Sequence, residues 1–161
     1  MKKSKIIFLD YDGVLNNPMY QILEQGQDRF VRDFDPQRIT RLQRICEATG
    51  AQVVVTSSWR ANKEAREYLI SQGIPIIGIT PEHNGVRGEE IDYWLQETEL
   101  DVVDYLILDD ETSEYSPEQM GHVICTRELF ESGLFETYDC VMGLQEKHVV
   151  WATAMLGGEH D

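Results

Sequence analysis

The chain is poor in cysteine, in positive charge and in long apolar runs, and each shortage removes a class of protein. Cys46, Cys125 and Cys140 are the only cysteines among 161 residues. They are odd in number and lack CxxC spacing, so neither a disulfide framework nor a thiolate zinc site is expected. A reducing, cytoplasmic setting fits that usage. Only 14 Lys and Arg stand against 29 Asp and Glu, a formal net charge of -15, and such a field repels phosphate-rich polymers. Extended nucleic-acid binding is thereby disfavoured. An anionic substrate then needs a focused positive site, made by a metal ion or a few Arg residues. The start MKKSKIIFLDYDG holds an apolar run of only Ile6 to Leu9 before Asp10, too short for a secretory h-region. No stretch nears the roughly 18 apolar residues of a membrane span, so no membrane partner is expected. Repeats and linker-like segments are also lacking, and residues 1–161 read as a single domain.

What is present is an ordinary globular mix, 42% hydrophobic and 27% charged, with one recurring rhythm. Ile6-Ile7-Phe8-Leu9 is a short, partly β-branched apolar run ending in Asp, the pattern of a strand buried on both faces. Val53–Val55, Ile74–Ile79, Tyr105–Leu108 and His122–Cys125 share that character. Helical patterns lie between them. Asp35 as N-cap and Pro36 at the first position open a segment in which Ile39, Leu42, Ile45 and Cys46 recur at helical spacing, and Gly50 ends it. A second helix is expected from about Asn62 to Gln72, a third near Gly88 burying Ile91, Trp94 and Leu95, and a last one carrying Leu144, His148, Trp151 and Met155. This alternation predicts a three-layer α/β/α fold around a mostly parallel sheet, with the ligand site beyond the carboxyl ends of the strands. Residues 16–34 break the rhythm with Asn, Pro, Gly, Gln, Asp and Arg, and read as a small lid inserted after the first strand.

The candidate site residues follow strand ends. Asp10 closes the first run and Asp12 lies two residues on, in a turn eased by Gly13, so that both carboxylates face one site. Thr56-Ser57-Ser58-Trp59-Arg60 puts small hydroxyls and a planar guanidinium at the end of the second strand; Ser57 is favoured by counting, with Thr56 and Ser58 each one residue away. Arg87 starts a helix, where free N–H groups also favour anions. Asp109 and Asp110 end a buried strand as an adjacent acidic pair. Arg38, Arg41 and Arg44 recur every third residue as a solvated helix face, and Glu111 and Glu114 are assigned to the surface. His83, His122, His148 and His160 show no ligand spacing, and His148 reads as packing.

DxDGVL after four apolar residues, VVVTSSWR, Arg87 before a helix and LILDD, in that order, resemble motifs I to IV of the haloacid dehalogenase superfamily of phosphatases. More closely, FLDYDGVLNN, TSSWR, RGEEIDYWL and LILDD look like the phosphatase-type domains linked to polynucleotide kinase-phosphatases and RNA-repair proteins, although the chain has no P-loop GxxxxGK[ST] and is strongly acidic. The resemblance implies a Rossmann-like fold with Asp10 as nucleophile and Asp12 as general acid/base. It further implies Ser57, Ser58, Arg60 and Arg87 on the phosphate, and Mg2+ at Asp10, Asp12, Asp109 and Asp110. The implied activity is phosphomonoester hydrolysis through an aspartyl-phosphate, most simply on a phosphorylated small molecule. Two alternatives stay open: a polynucleotide-end phosphatase using Arg29 and Arg32 on the lid, and a catalytically idle phosphate- or partner-binding module.

Overall fold

In the computed structural model the described residues are 2–16, 34–130 and 139–157. Apart from Asn16 and Phe34, the expected lid lies outside them, as do Arg29 and Arg32. The elements run β1 (Lys3–Leu9), α1 (Pro36–Thr49), β2 (Gln52–Val55), α2 (Lys63–Ser71), β3 (Ile76–Ile79), α3 (Arg87–Glu97), β4 (Asp101–Asp109), α4 (Pro117–Met120), β5 (Val123–Cys125), β6 (Arg127–Phe130), β7 (Asp139–Met142) and α5 (Glu146–Leu156). The first five strands form one sheet in the order β3-β2-β1-β4-β5, and every pairing in it is parallel. The antiparallel β6–β7 pair was not anticipated from the sequence.

The helix boundaries follow from local chemistry. The Asp35 side chain accepts the Gln37 N–H, Pro36 occupies the first turn, and Gly50 ends α1 at φ 74°, a left-handed conformation that favours glycine. Asn62 caps α2 through Ala65 N–H in the same way. Alternate residues of β1 then feed two cores, because successive strand side chains point to opposite faces. Ile7 and Leu9 pack with Ile39, Leu42 and Ile45 of α1, Leu69 of α2, and Val149, Ala152 and Leu156 of α5. Ile6 and Phe8 pack with Ile91 of α3 and with Tyr115. Helices thus cover both faces, and the three-layer α/β/α expectation holds.

Three local expectations are corrected. The Ile74–Ile79 run is not buried on both faces: β3 is an edge strand, and Ile77 and Ile79 are exposed. The arginine series on α1 is a solvated face only at Arg44, since Arg41 is half-buried and Arg38 is only 7% exposed. Arg38 and Arg41 each donate to the Leu144 carbonyl at 2.9 Å, and Arg41 and Arg44 hold Glu146, so the series clamps α5 onto α1. Gly143, at φ 105°, admits this clamp, because a Cβ there would stand 2.4 Å from the Arg38 guanidinium carbon. On α5 itself the buried stripe is His148, Val149, Ala152 and Leu156, while Trp151 is exposed and Leu144 precedes the helix. His148 is fully buried, as packing requires, and its Nδ1 accepts the Gln145 N–H at 2.9 Å.

Candidate active site

Because β1 connects through α1 to β2 on one side and β4 lies on its other side, the strand order reverses between β1 and β4. Parallel sheets open a crevice at such a point, beyond the carboxyl ends of the strands. Asp10 is the first residue after β1, Asp109 is the last of β4, and Asp110 follows it. Their main chain is locked into the sheet, with Asp10 N–H on the Leu108 carbonyl at 3.0 Å and Thr126 N–H on the Asp109 carbonyl at 3.0 Å. One carboxylate oxygen from each of Asp10, Asp109 and Asp110 lies within 4.8 Å of the others. Gly13 makes that convergence sterically open: its φ is 77°, and a Cβ would sit 2.4 Å from Asp110 Oδ2.

Arg87, at the first turn of α3, reaches across this group. Its guanidinium donates to Asp109 Oδ2 at 2.8 Å and stands 3.4 Å from Asp10 Oδ2. The Tyr115 hydroxyl donates to the same Asp109 oxygen, and the Glu111 N–H donates to Asp109 Oδ1 at 3.1 Å. Burial works to raise the Asp109 pKa, but the Arg87 charge and these hydrogen bonds outweigh it, and Asp109 is held below the usual carboxylate value. Asp10 receives less compensation. Burial first, and the neighbouring Asp109 charge second, push its pKa up to about 8 against the pull of Arg87. Burial and Asp109 likewise raise Asp110 to about 6. Arg87 itself is shifted further upward, because the charges of Asp10 and Asp109 outweigh its burial, so it is a permanent cation.

Among the described residues, three converging carboxylates face the single guanidinium of Arg87. The donors are carboxylate oxygens alone, a hard set of the kind Mg2+ prefers. Asp10, Asp109 and Asp110 therefore fit the metal that the motif resemblance implies. Asp12, also expected among the ligands, is placed differently. Its carboxylate is not among the converging oxygens; it is exposed and accepts hydrogen bonds from Asn16 Nδ2 at 2.9 Å and Trp59 Nε1 at 3.1 Å.

The hydroxyl and arginine candidates line the same edge of the sheet. Thr56 and Ser57 are buried just beyond β2, and Ser57 Oγ accepts the Trp59 N–H at 3.1 Å, capping the turn. Ser58 is exposed and joins Arg60, Arg87, Glu82, Asn84 and Glu114 in the wall of a cleft of about 500 Å3. Arg60 faces this cleft but is already engaged, with Glu90 at 3.0 Å and the Ser57 carbonyl at 3.2 Å. Glu90, only 4% exposed, also accepts the His83 N–H at 2.9 Å. Arg60 thus braces the hydroxyl-bearing turn against α3. Glu114, assigned to the surface from sequence, is exposed but borders the cleft.

Sequence reasoning missed Asn16, Trp59, Glu90 and Tyr115 as parts of this site. Trp59 lies inside the TSSWR string and could have been flagged by adjacency. Glu90 is indistinguishable in sequence from exposed Glu89 beside it.

A family model described as "HAD domain in Swiss Army Knife RNA repair proteins" matches residues 6–137 of the chain. No curated protein and no solved structure matches it.

Proposed function

The chain belongs to the family of HAD domains in Swiss Army Knife RNA repair proteins, and from that membership we propose that it is a Mg2+-dependent phosphomonoester hydrolase. The observation that carries the reading is the convergence of Asp10, Asp109 and Asp110 within 4.8 Å at the point where the strand order reverses. A fold alone would not suffice, since one fold hosts many activities.

In this reading Asp10 attacks phosphorus in line. A bond forms from its carboxylate oxygen to phosphorus as the bond from phosphorus to the leaving oxygen breaks, producing an aspartyl-phosphate. Asp12 gives its proton to the departing oxygen and then takes one from the water that attacks the aspartyl-phosphate, releasing inorganic phosphate and restoring Asp10. Arg87 holds the nucleophile and offers positive charge to the phosphoryl oxygens. The hydroxyls of Ser57 and Ser58 are the proposed hydrogen-bond donors to the same group, with Arg60 holding their turn in place. Mg2+ bound by Asp10, Asp109 and Asp110 would supply the charge that lets an anionic nucleophile approach an anionic phosphate.

A phosphorylated small molecule is the first substrate class, because a chain of net charge -15 repels a polyanion. A phosphorylated nucleic-acid end is the second, favoured by the family's description as a part of RNA repair proteins. The deciding experiment measures phosphate release from p-nitrophenyl phosphate, a panel of phosphorylated metabolites, and 3'- and 5'-phosphorylated oligonucleotides, each with and without Mg2+. Release from metabolites alone or from oligonucleotide ends alone selects between the two classes. No release from any substrate with Mg2+ present would leave a binding module and refute hydrolysis.

A further inference from the structure

Asp12 is held differently from the other acids of the site. Its two oxygens are each met by a neutral donor, Asn16 Nδ2 on Oδ1 at 2.9 Å and the Trp59 indole N–H on Oδ2 at 3.1 Å. Asn16 is fixed in turn, being 4% exposed and accepting the Gly13 N–H on its own Oδ1 at 2.8 Å. The Trp59 backbone N–H is fixed on Ser57 Oγ. One residue therefore links the hydroxyl-bearing turn after β2 to the second aspartate after β1. Trp59 as a residue is also 41% exposed, which puts it at the open side of the site. A neutral N–H is a particular choice of partner. A Lys or Arg would bind the carboxylate as a permanent ion pair, whereas an indole orients it through a single weaker bond that an arriving oxygen is able to replace.

We infer that Trp59 is a positioning residue for the reaction: its indole N–H aims the Asp12 carboxyl at the leaving-group oxygen of a phosphomonoester. The inference rests on the hydrolase reading given above. It separates two roles of the TSSWR segment, with the hydroxyls addressing the phosphoryl group and the tryptophan addressing the group that departs. Protonation of the leaving oxygen matters most when that oxygen is a poor leaving anion, so the effect of Trp59 depends on the substrate.

The test compares Trp59→Phe, which keeps a ring and removes the donor, with Asp12→Asn and the double variant, on an alkyl phosphate and on p-nitrophenyl phosphate. Trp59→Phe is expected to lower kcat on the alkyl phosphate by about tenfold, the usual effect of one hydrogen bond. On p-nitrophenyl phosphate the loss should stay under about twofold, with KM little changed on either substrate. Asp12→Asn should show the same substrate pattern more strongly, and adding Trp59→Phe to it should cost nothing further, since both act through one group. Equal losses of Trp59→Phe on both substrates, or additive losses in the double variant, would overturn the positioning role. A selective loss in Asp12→Asn with none in Trp59→Phe would also overturn it and leave the hydrolase reading standing. Where the wild-type chain turns over neither substrate, the same variants are compared on the metabolite or oligonucleotide end that it does hydrolyse; a wild-type chain inactive on the whole panel refutes the hydrolase reading itself, and circular dichroism of each variant separates misfolding from either result.

Discussion

The carboxyls gathered at the site make folding stability depend on pH in a direction that magnesium should reverse. Burial and the Asp109 charge raise Asp10 from 3.8 to about 8, and Asp110 rises to about 6. A carboxyl that binds its proton more tightly when folded stabilises the fold at low pH. That stability is fully present below the unfolded value and is lost as pH climbs through the folded one. Asp109 has the opposite sign, but its contribution is complete above its ordinary value and is constant from pH 5 upward. A tenfold difference in proton affinity is worth about 1.4 kcal/mol, so between about pH 5 and pH 8 Asp10 alone withdraws about 4 kcal/mol. For a chain of this size that is a fall in Tm on the order of 10 °C. Mg2+ competes with the proton for the same oxygens. It should raise Tm little at pH 5 and strongly at pH 8, as a ligand bound only to the native state does. The measurement is a pair of thermal melts at each pH, with millimolar MgCl2 and with NaCl at matched ionic strength, since screening alone relieves a net charge of -15. An equal Mg2+ shift at both pH values, or a NaCl shift as large as that of Mg2+, would show that the three carboxylates do not form the metal site.

Asp10→Asn should abolish turnover and raise the metal-free Tm at pH 8, because the amide removes both the nucleophile and a buried charge; turnover within tenfold of wild type would refute the nucleophile. Gly13→Ala should cost about 1–2 kcal/mol for the left-handed backbone alone, and the methyl would press on Asp110 Oδ2, so urea unfolding and the Mg2+ melt shift should both deteriorate. An alanine variant with unchanged metal response would mean that Asp110 is not a ligand. Glu90→Gln should destabilise by about 3 kcal/mol in urea melts, the usual cost of leaving one member of a buried pair unmatched, since Arg60 and Glu90 are 3.0 Å apart and nearly enclosed; a cost under 0.5 kcal/mol would show that the pair does not brace the turn.

Reading along the chain was sufficient where the physics is local. The apolar run Ile6–Leu9 ending in Asp, the Asp35-Pro36 start and Gly50 stop of α1, and the start of α2 near Asn62 are each decided within a few residues, and the structure reproduces them. The acidic cluster was legible as well, because strand ends in a parallel sheet share one edge. What was not legible depends on partners far apart in sequence. Arg38 reads as surface because its period is three; only the Leu144 carbonyl, 106 residues away, explains its burial. Tyr115 is an unremarkable loop tyrosine until α3 and β4 place it on Asp109. The exposure of β3 follows from strand order, which no run of apolar residues encodes.

β1 lies at the centre of the sheet, and its two neighbours stand at unequal distances along the chain. Its neighbour β2 emerges within about 45 residues, but β4, its other neighbour, spans Asp101–Asp109 and emerges much later. Loop closure over that distance is slow compared with local pairing. Until β4 is paired, β1 has a neighbour on one side only, and the main chain of Ile6, Ile7, Phe8 and Leu9 is an open edge on the other. Open edges of this kind template wrong pairings with other chains. Pairing of residues 101–109 covers that edge and brings Asp109 to Asp10 in the same event, so the strand that removes the open edge also completes the acidic cleft.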